Sequence, residues 1–196
     1  MTRRVPQEDI EKYAEFLKKK LRNIPFSKVI EVTTGCKVYP ISEADKNVID
    51  EIFNASKEVL EWAKTQNFSK LRPNEISNKL EKELRNRLHG VIPESKIAGY
   101  PDILIERSGK SYYIEVKFVS VEELSSNLRS FYYEPTEHAK ITKDASHVLV
   151  SFIHRDKKVL GFKIVDLSKV RVTLKNEFNT NNPNLYKKEN IIREFP

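Results

Sequence analysis

Cysteine is nearly missing from this chain. Cys36 stands alone, which excludes an internal disulfide and any metal site built from cysteines. It is read as a structural, buried or half-buried thiol. Glycine is scarce too, with five in 196 residues, and neither a Walker-type phosphate loop nor a dinucleotide fingerprint occurs. The histidines, His89, His138, His147 and His154, show no zinc spacing and are assigned to the interior or the surface. No G-x-S-x-G nucleophile elbow is present. No apolar run approaches the ~18 residues that span a bilayer, so no membrane partner is expected. The N-terminus, Met1-Thr2-Arg3-Arg4, lacks the apolar segment of a signal peptide, and a cytoplasmic (intracellular) protein is the expectation.

What the chain does have is charge and enough apolar residues for a core. Hydrophobic residues make up 39% and charged residues 32%, with a net charge of +7 that points to a polyanionic partner, nucleic acid above all. Helical periodicity predicts an amphipathic helix from Pro6 to about Ile24, which Pro25 ends. A short strand from Lys28 to Thr33 and a turn at Gly35 follow. Ser42 with Asp45 resembles a capping box ahead of the longest helix, whose stripe is Val48, Ile52, Ala55, Val59 and Trp62. Pro73 opens a further helix with Ile76, Leu80, Leu84 and Leu88 on one stripe and Gly90 as its stop. Thr136 to Ala145 is predicted helical. His147 to Ile153 reads as a buried strand, and Val159 to Val165 and Val170 to Leu174 as two more. The Asn-rich tail, with Phe178 and Tyr186, is either a disordered end or an arm that lies on a partner.

The segment from Gly99 to Lys117 is the most informative. Ser108-Gly109 between the apolar runs Ile103 to Ile105 and Tyr112 to Phe118 predicts a β-hairpin with a two-residue loop. Counting outward puts Arg107 against Lys110, Ile105 against Tyr112, Ile103 against Ile114 and Asp102 against Glu115. Facing residues have Cβ atoms roughly 4.5–5.5 Å apart, where like charges repel. Lys117 projects from the same face as Glu115. A three-residue loop would shift the register and separate the two carboxylates. A sequence that faces two carboxylates either tolerates the cost or offsets it with a cation, and Mg²⁺ takes oxygen ligands, typically one or two carboxylates with a substrate phosphate. Asp102 and Glu115 supply the carboxylates, and the Val116 carbonyl is a candidate third ligand. A lysine at such a site orients or helps deprotonate a water and steadies charge on a phosphorane, which is the chemistry of phosphodiester cleavage.

Pro101-Asp102, twelve residues, then Glu115-Val116-Lys117 resembles the signature of the PD-(D/E)XK nuclease superfamily in its E-x-K form. Glu81-Lys82-Glu83-Leu84-Arg85-Asn86-Arg87-Leu88 resembles the helix that carries the superfamily's additional acid, as in archaeal Holliday junction resolvases. Residues 73–153 follow the order of its core: helix, strands, helix, strand. The resemblance implies Asp102 and Glu115 as Mg²⁺ ligands, Lys117 as the catalytic lysine and Glu81 as an accessory acid, with Glu75 its competitor. It implies an α/β (α+β) fold, a restriction-endonuclease-like core with a central mixed β-sheet flanked by helices. The expected organisation is one nuclease domain over 1–196. A mainly helical extension occupies 1–70, the catalytic core 71–155, and C-terminal strands and tail 156–196. Segments added on both sides of the core suit a site-specific enzyme, so the reading is a type II restriction endonuclease cutting double-stranded DNA as a homodimer. A Holliday junction resolvase or repair nuclease is the alternative, and a non-catalytic nucleic-acid-binding module the second. Asn127 and Arg129 are candidates for base contacts, and Lys140, Lys143 and Arg155 for the DNA backbone.

Overall fold

A computed structural model describes residues 6–18, 21–94, 99–126, 131, 133–135, 139–175, 183, 187–191 and 193. The chain separates into two compact units, Ile24–Arg171 and the pair of terminal segments Met1–Asn23 and Val172–Pro196. Among the described residues no helix is long and apolar enough to cross a membrane. The terminal unit contains helix α1, Gln7–Lys18, shorter than its periodicity predicts, and a hydrogen bond from Leu174 N to Leu21 O of 2.9 Å. The predicted arm of residues 176–186 lies almost wholly outside the described residues.

The larger unit is a mixed α/β structure, a central curled mixed sheet flanked by helices. After the two-residue strand β1 (Ile24–Pro25) comes helix α2, Phe26–Thr34. The predicted strand over 28–33 is therefore a helix. Phe26 and Ile30, four apart, are both fully buried, whereas Val32 is 74% exposed. The hydroxyls of Thr33 and Thr34 bond back to the carbonyls of Val29 and Ile30 at 2.8 Å each. Burial of one helical face outweighs the β-preference of these branched residues. Gly35, at φ 76°, closes the helix in the left-handed conformation expected of a turn glycine.

Strand β2 (Val38–Tyr39) leads through a turn to helix α3, Lys46–Lys64. Asp45 accepts from the Ser42 amide, as the capping-box pattern predicts, and also from Lys110 Nζ and the Tyr112 hydroxyl at 2.8 Å each. Helix α4, Pro73–Arg87, follows. The α3 stripe (Val48, Ile52, Ala55, Val59) and the α4 stripe (Ile76, Leu80, Leu84, Leu88) form one core with Ile103, Ile105, Tyr112, Ile114, Val116, Val148, Val150 and Phe152 of the sheet. The left-handed residue after α4 is His89 (φ 48°), not Gly90. Gly90 is required by space: a Cβ there would lie 2.5 Å from Ile103 Cγ2.

The sheet comprises β3 (Ile103–Arg107), β4 (Lys110–Ser120), β5 (Ala145–Arg155) and β6 (Lys158–Asp166) with β2. Its order is β2-β5-β4-β3, with β6 also on β5. The β3–β4 and β5–β6 pairs are antiparallel, and β4–β5 and β2–β5 are parallel. Strand β7 (Arg171–Val172) is shorter than predicted. Between β4 and β5 the described residues contain a single 3₁₀ turn, Val121–Glu123, and no α-helix. The helix predicted over 136–145 fails where it is described: residues 139–144 are irregular and Ala145 opens β5. Asp144 is committed elsewhere, accepting from the Lys37 amide at 2.7 Å and the Tyr39 hydroxyl at 3.1 Å.

Candidate active site

Ser108 (φ 50°) and Gly109 (φ 74°) are both left-handed, as a two-residue hairpin turn matched to strand twist requires. The register follows as counted, Arg107 with Lys110 and Ile103 with Ile114. Asp102 lies just outside the ladder, its N–H donating to Ile114 O at 3.1 Å and not entering a next rung opposite Glu115. Its carboxyl is still close enough for its charge to act on Glu115. Its Oδ2 accepts the Val116 amide at 2.8 Å. That amide points to the side of β4 that β3 leaves uncovered, and in a strand the residue's carbonyl shares the direction of its N–H.

Glu115 is 4% exposed, and one of its oxygens is ion-paired with Lys117 Nζ. Its other oxygen, Oε2, is buried with no hydrogen-bond partner. Burial first, and the Asp102 charge second, push its pKa up to about 7, against the pull of Lys117. Burial raises the Asp102 pKa as well, opposed by the Val116 amide, Lys117 and Lys140. Of the two carboxyls, each raised by burial, Glu115 is the one that also feels its neighbour's charge as an upward push. Glu81, on α4, is raised by burial and then by Asp102, while Arg85, 2.7 Å away, opposes the shift. Glu81 is therefore within electrostatic reach of the pair. Glu75 is not part of this group: its Oε2 caps α4 through the Arg72 amide at 2.7 Å.

The donor set is hard and anionic, two carboxylates with a backbone carbonyl on the same side, and it leaves a buried oxygen without a partner. That fits a divalent cation that keeps several waters. Among the described residues no three His, Cys, Asp or Glu side chains converge to chelate an ion by themselves.

The remaining candidates scatter. Lys140 lies beside the carboxyls, and its Nζ donates to Gly99 O at 2.6 Å and Pro101 O at 3.2 Å, bracketing the turn that carries Asp102. Lys143 is drawn away into an ion pair with Glu106. Arg155 is exposed, 3.5 Å from Glu122. Asn127 and Arg129 lie outside the described residues.

An aromatic wall that the sequence does not announce stands beside the carboxyls. The Tyr100 hydroxyl is 2.5 Å from Nδ1 of His147, which burial holds down to about 3, so the ring is neutral. Phe26, Tyr113, Phe131 and Tyr133 pack around this couple. Tyr100 stands two residues before Asp102, the one signal that could have marked it.

A carboxylate pair and a lysine on the hairpin of a helix-flanked mixed sheet give the molecule a restriction-endonuclease-like architecture. Comparison with known proteins makes the class specific. A sequence model of the Type II restriction enzyme MjaV family matches residues 19–189. The chain is 35% identical, over 219 aligned positions covering 95% of each chain, to the type II restriction enzyme MjaV of Methanocaldococcus jannaschii. The chain belongs to the type II restriction enzyme MjaV family. No solved structure matches it.

Proposed function

We propose that this protein is a Mg²⁺-dependent, site-specific endonuclease of the PD-(D/E)XK superfamily that hydrolyses phosphodiester bonds in double-stranded DNA. The observation that carries the reading is the buried, unpartnered Oε2 of Glu115, set beside Asp102 and Lys117. Family membership and the basic net charge supply the DNA substrate.

A bound divalent cation would lower the pKa of its water and neutralise charge on the scissile phosphate. The chain's own residues do the rest. Asp102 and Glu115, as carboxylates, would hold the ion together with the Val116 carbonyl. Lys117, tethered to Glu115, orients the attacking water and donates to the phosphoryl oxygens as charge builds there. Glu81 completes the acidic rim from α4. Lys140 fixes the Gly99–Pro101 turn and so the direction of Asp102. Cutting both strands of a symmetric site calls for two such centres, hence a homodimer.

Incubation of plasmid DNA with the protein and Mg²⁺ tests this reading. Discrete fragments are expected, and Asp102→Asn should abolish them while DNA binding persists. A smear would mean a non-specific nuclease, and cutting confined to branched DNA a resolvase. Cleavage that survived Asp102→Asn would refute the site.

A further inference from the structure

The face of the sheet turned away from α3 and α4 carries more than the carboxyl pair. In β6, Phe162 and Ile164 pack towards the helical core, so the alternating residues Gly161, Lys163 and Val165 face the other way. In β4, Val116 and Phe118 face the core and Glu115 and Lys117 do not. The strand register then aligns Lys117 with Ser151 on β5, and Ser151 with Lys163 on β6. Paired residues share a face, so these three side chains form one row running outward from the candidate catalytic lysine.

Strands lie about 4.8 Å apart, which puts Lys163 about 10 Å from Lys117 at the level of the backbone. A nucleotide rises ~3.4 Å along one strand of duplex DNA, so the row spans about three phosphates. Lys163 is exposed and, among the described residues, unmatched by a carboxylate, whereas Lys110, Lys117 and Lys143 each have one.

Gly161 adds an independent observation. It aligns with Ile153, one step along the same face. Its φ is not positive, and a Cβ built there meets nothing within 4 Å. Neither conformation nor internal packing asks for glycine at this strand position, where it weakens the strand. A bare backbone beside an unmatched ammonium is what close approach of an external polyanion requires.

We infer that Lys163 and Gly161 form a landing strip for the DNA sugar-phosphate backbone on the same sheet face as the candidate catalytic lysine; Ser151, between the two lysines, is buried and only sets their spacing. Lys163 pairs with a phosphate a few nucleotides from the scissile one, and Gly161 leaves room for the backbone itself. The inference rests on the proposed nuclease reading for its substrate.

The test is duplex binding by fluorescence anisotropy, without divalent cation, over a salt series. Lys163→Ala should weaken binding about three- to tenfold on all sequences alike and reduce the log–log salt slope by about 0.9. Lys163→Arg should restore it. Lys57→Ala, on the exposed face of α3, serves as the control with unchanged slope. Gly161→Val should melt at the wild-type temperature or above it, since valine suits a strand and the space is open, yet bind DNA about tenfold more weakly. Wild-type affinity and slope in both variants, with fold intact, would overturn the strip. That outcome is distinct from failure of the nuclease reading, which would appear as cleavage surviving Asp102→Asn or as no cleavage by the wild type.

Discussion

Val116 gives its backbone amide to Asp102 Oδ2 at 2.8 Å, so the two halves of the acidic motif are joined by a hydrogen bond just beyond the last rung of the β3–β4 ladder. The bond orients Asp102 before any ion arrives. It also means that Asp102→Asn, which keeps an accepting oxygen, can retain the hairpin while losing the negative charge.

The carboxyl pair makes stability depend on pH. Glu115 is pushed up to about 7 in the fold, against about 4.5 for the free side chain. The metal-free native state therefore holds a proton that the unfolded chain has released, and its stability falls as pH rises through that interval, by a few kcal/mol at most. Comparison with Glu115→Gln cancels the other titrating groups. The glutamine variant should gain in melting temperature over wild type as pH rises from 5 to 8, and Mg²⁺ should close the gap by stabilising wild type. A difference that stays flat with pH would contradict the upward push on Glu115.

Glu81 and Glu75 should separate by phenotype. Glu81→Gln removes the charge that faces Asp102 and is expected to slow cleavage with little change in melting. Glu75→Gln weakens the cap of α4, at a cost of ~0.5–1 kcal/mol, and leaves cleavage rates alone. Parallel melts and single-turnover assays decide between them, and the opposite pattern would exchange their roles.

Lys140 pulls the pKa values of Asp102 and Glu81 downward while holding the Gly99–Pro101 turn. Without it both acids retain protons to higher pH. Lys140→Met should move the acidic limb of the cleavage–pH profile upward, and Lys140→Arg should return it. A limb that does not move would return Lys140 to the role of a simple DNA contact.

Gly90→Ala places a methyl 2.5 Å from Ile103 Cγ2, at the base of the strand that leads out of Asp102. Overpacking of this kind costs about 1–3 kcal/mol. A drop in melting temperature is expected, and a thermally silent variant would show that β3 is free to shift.

The hairpin was legible because its determinants are local: a Ser-Gly turn and alternation on both sides settle the register from Arg107–Lys110 to Ile103–Ile114, whereas Asp102 leaves the ladder and bonds to Ile114 O. The stripes of α3 and α4 were legible for the same reason. Helix α2 was not, since Val29, Ile30, Val32 and Thr33 have strand preferences that only the burial of Phe26 and Ile30 overrides. The segment 139–144 was misread because Asp144 takes its partners from β2, about a hundred residues earlier. The sequence offers Lys140 as a cation for the DNA backbone, and nothing in its neighbours in sequence shows that it also reaches back to Gly99 and Pro101. The couple of Tyr100 and His147, and the row from Lys117 to Lys163, exist only once β5 lies between β4 and β6.

Arg107 grips Glu51 of α3 through Nε at 2.9 Å and NH2 at 2.7 Å, and NH2 also reaches the Leu88 carbonyl at 2.6 Å. Val91 bridges to Leu104 inside that span. Both ends of β3 are thereby fastened, Arg107 to α3 and to the end of α4, and Leu104 to Val91. Such fastening limits how far the strand that follows Asp102 can shift against the helix that carries Glu81.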